Sequence, residues 1–126
     1  MLQFSYPETN IFLLCFSIVD FNSFENIKSK WYPEVNYHCP DVKIILIGTK
    51  CDLRYDENTL RILKEHDKPL VQCYQAEALA KKLGCIAYLE TSAKTGYGAR
   101  ELCHFLVTAY DEDIKPLKEQ KKCILQ

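Results

Sequence analysis

An α/β fold, doubly wound around a mostly parallel sheet, is what this 126-residue sequence predicts. Three observations lead there. Apolar runs at residues 10–20, 42–47 and 85–90 read as buried strands. Segments with helical spacing separate them. The second and third runs each pass into a short polar motif, Thr49-Lys50-Cys51-Asp52 and Thr91-Ser92-Ala93-Lys94, at the point where strands of open α/β sheets end and hold their ligands. Crossovers between parallel strands are right-handed, so these elements close into one sheet with helices packed on it.

Residues 10–20 are apolar on both alternating faces, the mark of a strand covered above and below. Asn22 offers a helix cap, and Glu25 three residues on completes a capping box. Phe24, Ile27, Trp31 and Val35 follow at spacings of three and four, an amphipathic stripe. Pro33 lies inside that stripe and is expected to kink or shorten the helix. His38-Cys39-Pro40-Asp41 is turn chemistry, and residues 42–47 form the second strand. The polar segment 53–68 carries Leu60, Leu63 and an Arg61/Glu65 pair four apart, which predicts a short, exposed, charged helix over 59–66. Residues 75–83 repeat Ala76, Leu79, Ala80 and Leu83, with Gly84 as the stop. Residues 85–90 are the third strand. A loop with Gly96 and Gly98 leads to a last helix over 100–110, with Leu102, Phe105, Leu106 and Ala109 facing inward. The first strand suits the middle of a sheet, yet the later strands supply a neighbour on one side only. Its other edge is expected to be bare, a pairing hazard.

Composition narrows the function. With 48% hydrophobic and 26% charged residues, the sequence fits a soluble globular protein. A formal net charge of −1 excludes a global field drawing it to nucleic acid or acidic lipid. No apolar stretch approaches the roughly 20 residues that span a bilayer, and the first residues lack the pattern of a signal peptide. The 7 cysteines are odd in number and form no Cys-x-x-Cys pair, which argues against a disulfide framework or a zinc site. Cys15, Cys85 and Cys103 lie in apolar runs, where cysteine acts as a small hydrophobe. A reducing, cytosolic setting follows. No Ser/His/Asp or metal-ligand constellation emerges, and His38 beside Cys39 reads as a turn residue.

The two polar motifs carry the chemistry. A carboxylate such as that of Asp52 accepts two parallel donors, which is what guanine presents through N1–H and N2–H2 and adenine does not. A site built on that pairing rejects analogues strongly, because a buried carboxylate is left unpaired by them. Lys50 has a stem that lies flat on a purine ring. Thr49 can tie the loop with its hydroxyl. The backbone N–H of Ala93 suits the guanine O6 acceptor, Ser92 can hydrogen-bond and orient Asp52, and Lys94 can cover the opposite ring face.

The sequence resembles Rho/Rac-type small GTPases of the Ras superfamily. The matching residues are Ser5-Tyr6-Pro7, Ser23-Phe24-Glu25-Asn26, Lys30-Trp31-Tyr32-Pro33-Glu34-Val35, Gly48-Thr49-Lys50-Cys51-Asp52-Leu53-Arg54 and Glu90-Thr91-Ser92-Ala93-Lys94-Thr95. The charged helix, about residues 57–68, resembles the insert of Rho-type members. The resemblance implies the C-terminal three strands of the P-loop small GTPase fold over residues 1–110, followed by a tail over 111–126. It maps Thr49, Lys50, Asp52, Ser92, Ala93 and Lys94 onto guanine-binding positions.

No Gly-x-x-x-x-Gly-Lys-Ser/Thr loop occurs in the 126 residues. The family's Mg²⁺ ligands, switch segments and water-positioning Gln likewise find no counterpart, so no catalytic residue is assigned. By resemblance the ligand is GTP or GDP, with Mg²⁺ in the complete family fold. The implied role is a switch signalling to actin or polarity effectors, with exchange factors, GTPase-activating proteins and dissociation inhibitors as regulators. The expected origin is an N-terminally incomplete copy of such a GTPase. The alternative is a non-catalytic prenylated fragment that binds regulators or membrane.

Cys123-Ile124-Leu125-Gln126 fits the Cys-aliphatic-aliphatic-X prenylation pattern, and a final Gln favours farnesyl. Lys115, Lys118, Lys121 and Lys122 precede it. One lipid chain with a few lysines anchors marginally, so reversible residence at the cytoplasmic face of the plasma membrane is expected.

Overall fold

The computed structural model describes residues 11–111, with side chains described through residue 107. Three parallel strands make one sheet: β1 (Ile11–Ser17), β2 (Lys43–Thr49) and β3 (Ala87–Glu90), in the order β1-β2-β3. Ser17 lies opposite Thr49 and Gly48 opposite Glu90, so the carboxyl ends of all three strands share one rim. Among the described residues β1 stands at one edge of the sheet with β2 as its neighbour, as expected from strands that supply a partner on one side only.

The helices sort onto two faces. Phe12, Leu14 and Phe16 of β1, Ile44 and Leu46 of β2 and Tyr88 of β3 form one core with Phe24, Ile27, Val35, Ala76, Leu79 and Ala80. Both crossovers therefore lie on one face, as two right-handed connections in the same direction require. On the other face Ile45, Ile47, Ile86 and Ala87 are buried, with Leu102, Phe105 and Leu106 packed against them. Full burial of an Ile, Leu or Val side chain stabilises by roughly 1.5–3 kcal/mol. With Leu14, Ile18, Ile27, Val35, Ile45 and Leu46 all at 1% exposure or less, this layering is the main stabilising element.

The first crossover departs from its expected start. Asp20, not Asn22, caps α1 (Phe21–Asn26), its carboxylate accepting from the N–H groups of Asn22 and Ser23. Glu25 completes no capping box and instead pairs with Lys28 at 3.3 Å. Pro33 does not end the helix. A π-helical turn at Ile27–Trp31 precedes it, and α2 (Tyr32–His38) continues beyond. Proline lacks the N–H and crowds the carbonyl four residues back. The wider turn, in which Tyr32 N–H reaches back to Ile27 O, absorbs that misfit and keeps Ile27 and Val35 on the core.

After β2 a 3₁₀ turn (Cys51–Tyr55) leads to α3 (Glu57–Glu65). Asp56 caps α3 by accepting from Thr59 N at 2.9 Å and Thr59 Oγ1 at 2.7 Å, and Arg61 meets Glu65 at 2.9 Å as expected. None of its residues is buried. It stops at Glu65, short of the expected end: His66 is the C-cap and Asp67 turns out with φ 54°. Helix α4 (Cys73–Leu83) starts two residues early, because Gln72 and Gln75 form a reciprocal capping box, and Gly84 stops it at φ 77°. Helix α5 is Ala99–Asp111. Cys85 is buried, whereas Cys15 and Cys103 are exposed and do not act as core hydrophobes. Cys15 points away from the face that takes Leu14 and Phe16, and Cys103 lies outward of Leu102 and Phe105. Ser5-Tyr6-Pro7, the side chain of Ala109, the four tail lysines and the Cys123 motif lie outside the described residues.

Candidate functional site

Two loops leave the carboxyl rim of the sheet side by side. The first begins at Thr49, whose Oγ1 donates to Phe16 O at 3.0 Å and ties the end of β2 to β1. Lys50 then adopts a left-handed conformation, φ 60° and ψ 35°. Non-glycine residues take that region rarely. It turns the chain sharply out of the sheet and into the 3₁₀ turn that holds Asp52. Gly48 is required just before it: a Cβ there would lie 2.5 Å from the Tyr88 hydroxyl and 3.0 Å from Ile18 Cγ2.

The second loop is built around Ser92, which is 2% exposed. Its N–H donates to Tyr97 O at 3.0 Å, and its carbonyl accepts from Gly96 N at 2.8 Å. Its Oγ accepts from Thr95 N at 3.2 Å and donates to Asp52 Oδ1 at 2.7 Å. Backbone bonds from Thr91 N to Gly48 O at 2.9 Å and from Cys51 N to Thr91 O at 3.0 Å lock the two loops together. Gly98 closes the second loop at φ 78°, where a Cβ would collide with the Glu90 carbonyl.

The structure thus brings Asp52 and Ser92 into contact as expected. The Thr49 hydroxyl ties the start of its loop to the end of β1. Lys50, Ala93 and Lys94 are exposed. Asp52 is half-buried, and its carboxylate is oriented by Ser92 through one oxygen. A carboxylate held by one neutral donor keeps acceptor capacity for a ligand with two adjacent donors, as guanine has. Among the described residues no group of three or more His, Cys, Asp or Glu side chains is placed to hold a metal ion.

One cluster behind this contact is not legible from spacing. Glu90 Oε2 accepts from the Tyr88 hydroxyl at 2.6 Å and the Cys73 thiol at 3.2 Å, and it pairs with Arg54 Nη2. Arg54 Nη1 donates to Val71 O at 2.8 Å, and Arg54 is 8% exposed. Burial works against the Arg54 charge, but the Glu90 hydrogen bond and charge outweigh it and raise its pKa. Burial, then donation to Glu90, pushes the Tyr88 phenol and the Cys73 thiol up. The available signal was a charged residue, Glu90, ending a buried strand. A cleft of about 430 Å³ opens beside the cluster, lined by Cys51, Asp52, Arg54, Cys73, Glu90 and Thr95 among others. Asp52 and Thr95 of the two loops line it, whereas Lys50, Ala93 and Lys94 do not.

Compared with models of protein families, the chain matches the one for the Ras family over residues 1–112.

Proposed function

The chain belongs to the Ras family of guanine-nucleotide-binding switches, and we propose that its 49–52 and 92–94 loops read the guanine base of GTP and GDP. The observation that carries this is the 2.7 Å hydrogen bond from Ser92 to Asp52, which aims a half-buried carboxylate at the carboxyl rim of a parallel sheet. In this reading Asp52 accepts N1–H and N2–H2, the Ala93 amide donates to O6, and the Lys50 and Lys94 stems cover the two ring faces. Thr49 and Ser92 hold the loops in place.

The reading extends to a Rho-type GTPase that signals to actin or polarity effectors. The exposed, charged helix α3, placed between the 3₁₀ turn and α4, supports that subtype. The Cys123 motif and the lysines before it support prenylation and reversible residence at the cytoplasmic face of the plasma membrane. Exchange factors, GTPase-activating proteins and dissociation inhibitors are the partners this role implies.

The test separates base reading from phosphate binding. Guanosine monophosphate is titrated into the ¹⁵N-labelled chain at millimolar concentration, with adenosine monophosphate as control. Amide shifts confined to Lys50, Cys51, Asp52 and the 92–94 loop, and produced by the guanine nucleotide alone, support the assignment. Equal responses to both nucleotides, or none at these amides, overturn it.

A further inference from the structure

Arg54 sits two residues after Asp52 on one turn, and Glu90 two residues before Ser92 at the end of one strand. The two segments are joined three times. The backbone links Cys51 to Thr91, the base-reading pair links Asp52 to Ser92, and the ion pair links Arg54 to Glu90. Resting on the base-reading function proposed above, we propose that Arg54 and Glu90 are positioning residues that set the angle of the Asp52 carboxylate, and so its two-donor recognition of guanine.

Several observations carry this. Arg54 is buried and Glu90 partly buried, and one carboxylate oxygen gathers three donors, from Arg54, Tyr88 and Cys73. Arg54 is further tied to Val71, just ahead of α4, so the 3₁₀ turn is referenced to the body of the domain and not to its neighbouring loop alone. Arg54 Nε, by contrast, is buried with no partner. A largely desolvated ion pair with an orphaned donor is a poor device for stability, since desolvation offsets much of its attraction. It is an effective device for direction. The guanidinium is planar and its fork is rigid, so two anchored nitrogens fix the orientation of the turn that bears Asp52. If the turn rotates, one carboxylate oxygen still meets N1–H while the other misses N2–H2.

Inosine monophosphate reports that second contact, because hypoxanthine has the N1–H donor and lacks the 2-amino group. Kd values for the guanine and hypoxanthine nucleotides are measured by the same titration in the wild-type chain, Glu90→Gln, and a packed Arg54→Met/Glu90→Leu double variant. The wild-type chain is expected to prefer guanine by about tenfold, the scale of one hydrogen bond to a charged group. Both variants are expected to keep dispersed spectra while that ratio collapses towards one. A role in stability alone lowers both affinities together and leaves the ratio unchanged, which overturns the positioning role and leaves base reading intact. A wild-type chain without preference for guanine over adenine nucleotide overturns both.

Discussion

Ser92 and Asp52 are 40 positions apart in the sequence, and their side chains meet at 2.7 Å. The contact exists because β2 and β3 end in register, with Gly48 opposite Glu90, so the loops that follow leave the sheet at the same height. The serine is buried and the aspartate half-buried, so the donor is fixed and the acceptor remains accessible.

Changing the chemistry of the acceptor changes the base that fits. In Asp52→Asn the amide donates where the carboxylate accepted, and xanthine carries a keto oxygen at that place. The variant is expected to favour xanthosine over guanosine monophosphate, read from paired titrations of the 92–94 amides. Retained guanine preference in this variant removes Asp52 from the base site.

Removing the donor acts on stability as well as on recognition. Ser92→Ala leaves the Thr95 N–H and Asp52 Oδ1 without the hydroxyl that serves both. Water can reach the half-buried Asp52 oxygen and the exposed Thr95 once the hydroxyl is gone, so the loss is that of ordinary hydrogen bonds, roughly 0.5–1.5 kcal/mol. Urea unfolding is expected to show a loss in that range, with guanosine monophosphate binding weakened at the same time. An unchanged midpoint contradicts the buried role.

Two glycines in the same loop separate backbone strain from collision. Gly96 has φ 80° and open space around its missing Cβ, so Gly96→Ala is expected to cost about 1–2 kcal/mol, the left-handed penalty alone. Gly98 has φ 78° and a Cβ there strikes the Glu90 carbonyl, which is backbone and does not swing away. Gly98→Ala is expected to lower the melting temperature by clearly more than Gly96→Ala. Equal losses would show that the loop shifts freely from Glu90.

Alkaline pH probes the core through Cys85. Burial raises its thiol from the ordinary 9.0 to about 12. The folded state therefore keeps a proton that the unfolded state releases, and the stability this contributes is intact below pH 9 and is lost as pH rises towards 12. The slope for one proton is about 1.4 kcal/mol per pH unit. Cys85→Ala is expected to be less stable than wild type at pH 8, with the gap narrowing between pH 9 and 11. A gap independent of pH argues that the thiol titrates alike in both states.

Much of this site is readable from the chain because it is local. Each polar motif follows its strand without interruption, and Asp52 and Ser92 are close to the residues that set their loops. The buried strands are equally plain, since Leu14, Ile45 and Leu46 have no polar alternation to confuse them. The Arg54–Glu90 pair is hidden for the opposite reason. Periodicity reports which face of an element is apolar, and it does not report which charged side chain turns inward to meet another 36 positions away. The cap of α1 is ambiguous in the sequence because Asp20 and Asn22 have the same capping chemistry two residues apart, and only the geometry shows that the helix begins at Phe21. The π turn before Pro33 follows from a conflict between proline sterics and the burial of Ile27 and Val35, and a single-residue rule reports only the sterics.

Helix α3 makes no demand on the hydrophobic core, for it is capped by its own Asp56, braced by its own Arg61 and Glu65, and buries none of its side chains. Its outward residues are thus released from the selection that folding imposes on β2 or α4. They are free to drift, or to be retailored for a new recognition task, while the carboxyl rim of the sheet stays as it is.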